Sequence, residues 1–186
     1  MVRLTIEDVA SLPEDFHYEL LDGVIVPIPP SLATHQDIIF EAMQSLRRNA
    51  SRQHRPTYSV SVAIGAHDEP RPDVLVLHAR SFLRSPVPAD DVILACEVLR
   101  EASEPIDRGY KMRLYARGGI PSYWIIDPLV ERVTLTQYLL GPDGVYHQHM
   151  QTHGLARLDQ PWRVELDLPA ITRVRDEIHT ADHPYK

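Results

Sequence analysis

One acidic residue inside an apolar run constrains this 186-residue chain more than any other feature. The run is Val92-Ile93-Leu94-Ala95-Cys96-Glu97-Val98-Leu99. Continuous apolar runs of this length read as strands buried on both faces of a sheet. A carboxylate buried there is costly unless a partner satisfies it. Upstream, Pro72-Asp73 leads into a second apolar run, Val74-Leu75-Val76-Leu77. Asp73 opens its strand and Glu97 nearly closes its own, so antiparallel pairing brings both carboxylates to the same edge of the sheet.

The rest of the chain supplies elements to surround such a sheet. Thr5 to Ser11 reads as a short helix, with Thr5 and Asp8 as a capping box. Tyr18 to Pro27 reads as a hairpin around Asp22-Gly23. His35, Ile39, Ala42, Met43, Leu46 and Ala50 recur at helical spacing, which predicts a long helix from Thr34 to about Ser51. Tyr58 to Ile64 alternates like a strand, and Ser81 to Asp91 reads as an exposed connection. A helix is expected from Pro105 to Arg117, closed by Gly118-Gly119. Tyr123 to Asp127 is a buried strand, Val133–Leu140 and Val145–Met150 form a hairpin, and Trp162 to Leu168 is a last short strand. Strands alternating with helices predict an α/β (mixed α+β) fold: a central mixed sheet flanked by helices, with added hairpins. One domain over residues 1–175 is expected, with 176–186 as a flexible tail.

The single cysteine, Cys96, excludes an intramolecular disulfide, and no apolar run approaches the ~18 residues of a membrane span. With no signal-like N-terminus either, a cytoplasmic protein without membrane contact is expected. The net charge of −7 argues against purely electrostatic binding of nucleic acid. Two local basic clusters qualify that: Arg47, Arg48, Arg52 and Arg55, then Arg100, Arg108, Lys111, Arg113 and Arg117. Either cluster also reads as a solvated helix face.

Two strand-end carboxylates and a lysine are what a magnesium-dependent phosphodiesterase needs. Magnesium prefers hard oxygen ligands and takes one or two carboxylates plus substrate phosphate. Lys111 would add a cation beside the phosphate. Each residue has a plainer reading on local grounds. Asp73 follows proline as a turn residue does. Glu97 suits a structural ion pair. Lys111 lies four residues after Asp107, the spacing of a surface helix pair. His35 shares a face with Ile39, Ala42 and Leu46, as a core histidine does, and Tyr115 reads as packing. His147, His149 and His153 lack a cysteine partner and read as an exposed hairpin rather than a zinc site.

Several stretches together resemble the Uma2 family of restriction endonucleases, within the PD-(D/E)XK nuclease superfamily. They are Tyr18-Glu19-Leu20-Leu21-Asp22-Gly23, Pro29-Pro30-Ser31 with His35, Arg71-Pro72-Asp73-Val74, and Cys96-Glu97-Val98-Leu99 followed by Asp107, Lys111 and Tyr115. The strongest piece is Gly118-Gly119-Ile120-Pro121-Ser122-Tyr123-Trp124-Ile125-Ile126-Asp127-Pro128. The resemblance implies a restriction-endonuclease-like sheet and a DNA endonuclease using Mg2+, or Mn2+. It implies Glu19, Asp73 and Glu97 as metal ligands, with Lys111 as the catalytic cation. His35, Arg100 and Asp107 would be supporting residues or phosphate contacts. The superfamily's usual lysine position is Leu99 here, and Lys111 matches the helix lysine that takes over in this family. Arg100 stands where the family commonly has serine. A homodimer is expected, since cutting a duplex takes two cuts. The rival reading is a nucleic-acid-binding or regulatory module with a nuclease-like fold and an inactive site.

Overall fold

The computed structural model describes residues 3–13 and 15–182. Its centre is a six-stranded mixed sheet in the order β10-β9-β8-β7-β5-β3. These strands are β3 (His54–Tyr58), β5 (Val74–His78), β7 (Val92–Val98), β8 (Ser122–Asp127), β9 (Thr134–Leu140) and β10 (Tyr146–Thr152). Only β7 and β8 run parallel, joined by the crossover that carries the helix after Pro105. The other neighbours are antiparallel. β3 is an edge strand, which accommodates Pro56 because an edge residue needs no second ladder bond.

Strands β7 and β8 are buried on both faces, as their apolar runs demand. Helix α2 (Ala33–Arg47) covers one face, packing Ile38, Ile39, Ala42, Met43 and Leu46 over Val74, Val76, Leu94, Cys96 and Trp124. Each large apolar side chain buried here stabilises by roughly 1.5–3 kcal/mol. On the other face Leu114 and Tyr115 of α3 (Met112–Arg117) meet Leu75, Ala95, Tyr123 and Ile125. Because strand residues alternate, Glu97 points to this second face, beside α3.

The hairpin of β1 (Tyr18–Leu21) and β2 (Val24–Pro27) forms as expected, with φ of 53° at Asp22 and 75° at Gly23. Glycine is required there: a Cβ on Gly23 would lie 2.7 Å from Arg3 Cβ and 2.9 Å from Arg3 Cα. Backbone bonds between Leu20 and Glu69, and from the Asp22 amide to the Asp68 carboxylate at 2.7 Å, pin the hairpin to the segment that precedes β5. The capping box Thr5–Asp8 starts helix α1 (Ile6–Val9).

Several elements differ from expectation. The strand placed at Tyr58–Ile64 is two: β3 ends at Tyr58, Ser59 turns into the left-handed region at φ 52°, and β4 (Val62–Ala63) pairs in parallel with β6 (Val87–Pro88). The helix after Pro105 begins with a six-residue π-helical stretch, Ile106–Lys111, before becoming α3. Strand β11 (Leu155–Leu158), which hairpins with β12 (Val164–Asp167), had no sequence counterpart. The flexible tail expected from Asp176 is instead the second half of helix α4 (Leu168–Asp182). Arg175 explains why: its guanidinium donates to the carbonyls of Pro128, Val130 and Glu131, tying the helix to the loop after β8. The end of that tail, 183–186, lies outside the described residues. Among the described residues no helix is long and apolar enough to cross a membrane.

Candidate active site

The β5–β7 register places Val74 opposite Cys96, and one further step sets Asp73 opposite Glu97. Directly opposed residues share a sheet face. The carboxylates that sequence brings to one edge are therefore neighbours at one end of the sheet. Glu19 on β1 and Lys111 at the end of the π-helical stretch join them, and all four line one cleft of about 380 Å3.

Lys111 is the hub. Its ammonium lies 2.8 Å from Glu19 Oε1, 3.1 Å from Glu97 Oε1 and 3.2 Å from Asp107 Oδ1. Lys111 is only 4% exposed and Glu97 2%. The Asp107–Lys111 pair therefore has the spacing of a surface pair but is buried. Tyr115, one turn after Lys111, donates its hydroxyl to Glu97 Oε1 at 2.6 Å. The residue read as packing thus fixes a carboxylate. Its i, i+4 spacing from Lys111 was the available signal.

The charges do not balance. When ionised, Glu19, Glu97 and Asp107 set three negative charges around one ammonium. Desolvation pulls the Lys111 pKa down, but Glu97, Glu19 and Asp107 more than reverse this and hold it well above 10.5. Lys111 is thus a fixed cation. Burial pushes Glu97 well above its ordinary 4.5; Lys111 opposes this, while Asp107, Asp73 and Glu19 add to it. Burial also raises Asp107, against the pull of Lys111 and Ser103. Burial and the nearby Glu97 raise Tyr115 well above 10.0, so its hydroxyl stays a donor.

Each candidate ligand is held by one oxygen. Glu19 Oε1 accepts the Arg71 amide at 2.7 Å, and Asp73 Oδ2 accepts the Val98 amide at 2.8 Å. Glu97 uses Oε1. Among the described residues the second oxygen of each makes no protein hydrogen bond. Three carboxylates lining one cleft offer the hard oxygen ligands that a magnesium-type ion prefers. They are not drawn into a finished cage: among the described residues no three His, Cys, Asp or Glu side chains converge on one metal position.

This arrangement sits in a recognisable chain. The Uma2 family, described as "Putative restriction endonuclease", matches residues 6–174. The chain belongs to the Uma2 family. No curated protein matches it. Among solved structures it is similar to a putative nuclease belonging to DUF820 from Anabaena variabilis ATCC 29413. That similarity has a TM-score of 0.68 at 15% identity, over 91% of this chain and 98% of the other. The six-stranded mixed sheet with its flanking helices thus shares the fold of that neighbour.

Of the remaining candidates from sequence, Arg100 lines the cleft and His35 lies behind it. His35 is buried on α2, its Nε2 3.0 Å from the Val98 carbonyl and 3.5 Å from Asp73 Oδ2. It supports Asp73 from behind and does not line the cleft. Arg100 does line it, and its Nε and one Nη are buried without a hydrogen-bond partner among the described residues. Arg71, not singled out from sequence, lines it too, and its adjacency to Pro72-Asp73 was the clue. His147 pairs instead with Asp143, its Nε2 2.9 Å from Oδ2, and belongs to no metal-ligating group with His149 or His153.

Proposed function

We propose that this protein is a divalent-metal-dependent endonuclease hydrolysing phosphodiester bonds of DNA. The observation that carries the reading is the excess of buried carboxylates around Lys111, two of which, Glu19 and Glu97, line one cleft together with Asp73. Such an excess is what a bound dication relieves. The family description and the DUF820 neighbour support the same chemistry.

Glu19, Asp73 and Glu97 would hold Mg2+ or Mn2+. When bound, the ion neutralises charge on the phosphoryl group and makes water a better nucleophile at neutral pH. The chain's own residues do the positioning. The Arg71 and Val98 amides aim Glu19 and Asp73, and Tyr115 with Lys111 aims Glu97. Lys111 cannot act as a base, because the surrounding carboxylates keep it protonated. It acts as a fixed positive charge beside the phosphate, its three N–H groups already directed at Glu19, Glu97 and Asp107. Arg100, which lines the cleft and has no carboxylate partner among the described residues, suits a phosphate oxygen. Cutting a duplex needs two such sites, which a homodimer supplies.

Incubating purified protein with supercoiled, linear and single-stranded DNA in Mg2+ and Mn2+ tests the proposal. Cleavage that EDTA stops and Asp73→Asn abolishes is expected. Cleavage at full rate by folded Asp73→Asn would refute the assignment.

A second reading, a nucleic-acid-binding or regulatory module with an inactive site, has one observation in its favour. Lys111 is already saturated by three carboxylates, as a purely structural ion cluster would be. DNA binding without cleavage, and no response to millimolar Mg2+, selects that reading.

A further inference from the structure

The chain's positive charge is segregated. No Asp or Glu stands between Glu41 and Asp68, or between Asp73 and Asp90, although the net charge is −7. These two stretches carry Arg47, Arg48, Arg52, Arg55, Arg80 and Arg84. The fold brings them together, because β3 pairs with β5 at one edge of the sheet and Arg47 ends the overlying helix α2.

Along this edge run three adjoining clefts. The first is the carboxylate cleft. The second, of about 400 Å3, shares Ser59 and Arg71 with it and adds Arg84. The third, of about 550 Å3, shares Phe82 and Leu83 with the second and adds Arg47 and Arg55. Among the described residues Arg47, Arg55, Arg71 and Arg84 have no carboxylate partner. Between them stand two bare apolar side chains: Phe82 is 47% exposed and Leu83 99%.

Unpaired arginines at intervals suit backbone phosphates, and an exposed phenylalanine between them suits the face of a base. In a duplex the base faces are stacked on one another and closed to such contact. We propose that a single nucleic-acid strand runs from the carboxylate cleft past Arg71, over Phe82 and Leu83, to Arg55 and Arg47. The inference rests on the nuclease reading for its polymer and goes beyond it by naming an unpaired strand. A single strand is cut at one site, so the track does not require a dimer.

The test is fluorescence anisotropy in EDTA with a labelled oligothymidylate of about 20 nucleotides, longer than the ~4–16 that an OB-fold, a common single-strand binder, covers. A duplex of equal length is the competitor. The single strand is expected to bind about tenfold more tightly than the duplex. Phe82→Ala is expected to weaken it about tenfold, from loss of one stacked base. Arg55→Ala/Arg84→Ala is expected to reduce the slope of log affinity against log salt by about 1.4, for two lost phosphate contacts at ~0.7 each. These side chains are exposed, so folding is not at risk. A duplex bound more tightly than the strand, or wild-type affinity and salt slope in all these variants, overturns the track. An RNA strand bound equally well leaves it standing, because phosphates and base faces are common to both polymers. Binding without metal separates the two ideas. Strand binding without cleavage defeats only the hydrolytic reading, and cleavage with unaltered strand affinity in the variants defeats only the track.

Discussion

Lys111 Nζ lies 2.8 Å from Glu19 Oε1, joining a π-helical stretch to the N-terminal hairpin at the end of the central sheet. The contact makes the hairpin part of the candidate site. It also makes Lys111 a structural residue as well as a chemical one.

Lys111→Ala is therefore expected to act twice. Removing the cation strands three buried carboxylates, so stability at pH 7 should fall by about 3–5 kcal/mol. If the protein cuts DNA, the rate per folded molecule should also fall about 100-fold. The stability loss should depend on pH with a definite sign. Lys111 opposes the rise in the Glu97 pKa, so its loss drives that pKa higher still, and the variant's extra penalty for the charge appears only as pH rises above the already raised wild-type value. The gap between wild type and variant should be widest at neutral pH and narrow as pH falls toward 4.5. Urea denaturation at several pH values reads this, and a gap independent of pH would contradict the charge argument.

Magnesium should stabilise the fold. At one hundred times its dissociation constant a ligand adds about 2.7 kcal/mol. Glu97→Gln keeps the shape but removes a charged ligand, so most of the Mg2+-induced rise in Tm should vanish. Differential scanning fluorimetry with and without EDTA measures it. Equal rises in both proteins would place the ion elsewhere.

Leu99, which the sequence resemblance sets at a position expected to carry lysine, is buried in the core beside α3. Leu99→Ala should lower stability by about 2–5 kcal/mol through the cavity it leaves. The cleavage rate of the folded fraction should stay unchanged. A rate loss exceeding the loss of folded protein would show that Leu99 shapes the site.

Gly23→Ala should weaken the hairpin that carries Glu19. Its φ of 75° disfavours a side chain, and the added Cβ meets the Arg3 backbone. A loss of about 1–3 kcal/mol is expected, from strain of that order at such positions. Chemical denaturation measures it, and an unchanged midpoint would mean that the hairpin shifts freely.

Much of the sheet was readable because its signals are local. The apolar runs at Val74 and Val92 could only be buried strands, and Asp22-Gly23 could only be a tight turn. Their ends gave the opposition of Asp73 and Glu97. The resemblance added Glu19, which no local pattern joins to them, and matched Lys111, already read as a cation beside the phosphate, to the family's helix lysine. Helix α4 escaped because the bonds that hold it, from Arg175 to carbonyls after β8, connect residues far apart in sequence. β11 escaped for another reason: its four residues, Leu155–Leu158, are too short a run to read as a strand without their pairing to β12.

Sequence by itself determined where a carboxylate must be buried, which strands enclose it and where the chain turns, because burial pattern and turn chemistry act over a few residues. Only the tertiary structure decided what answers that burial. It decided that Lys111 faces inward between Glu19, Glu97 and Asp107, and that Tyr115 is a donor. It also decided that the acid-free stretches around Arg55 and Arg84 share one edge. Those outcomes depend on charges and hydrogen bonds between distant residues, whose strength is set by distance and by exclusion of water, and neither exists until the chain has folded.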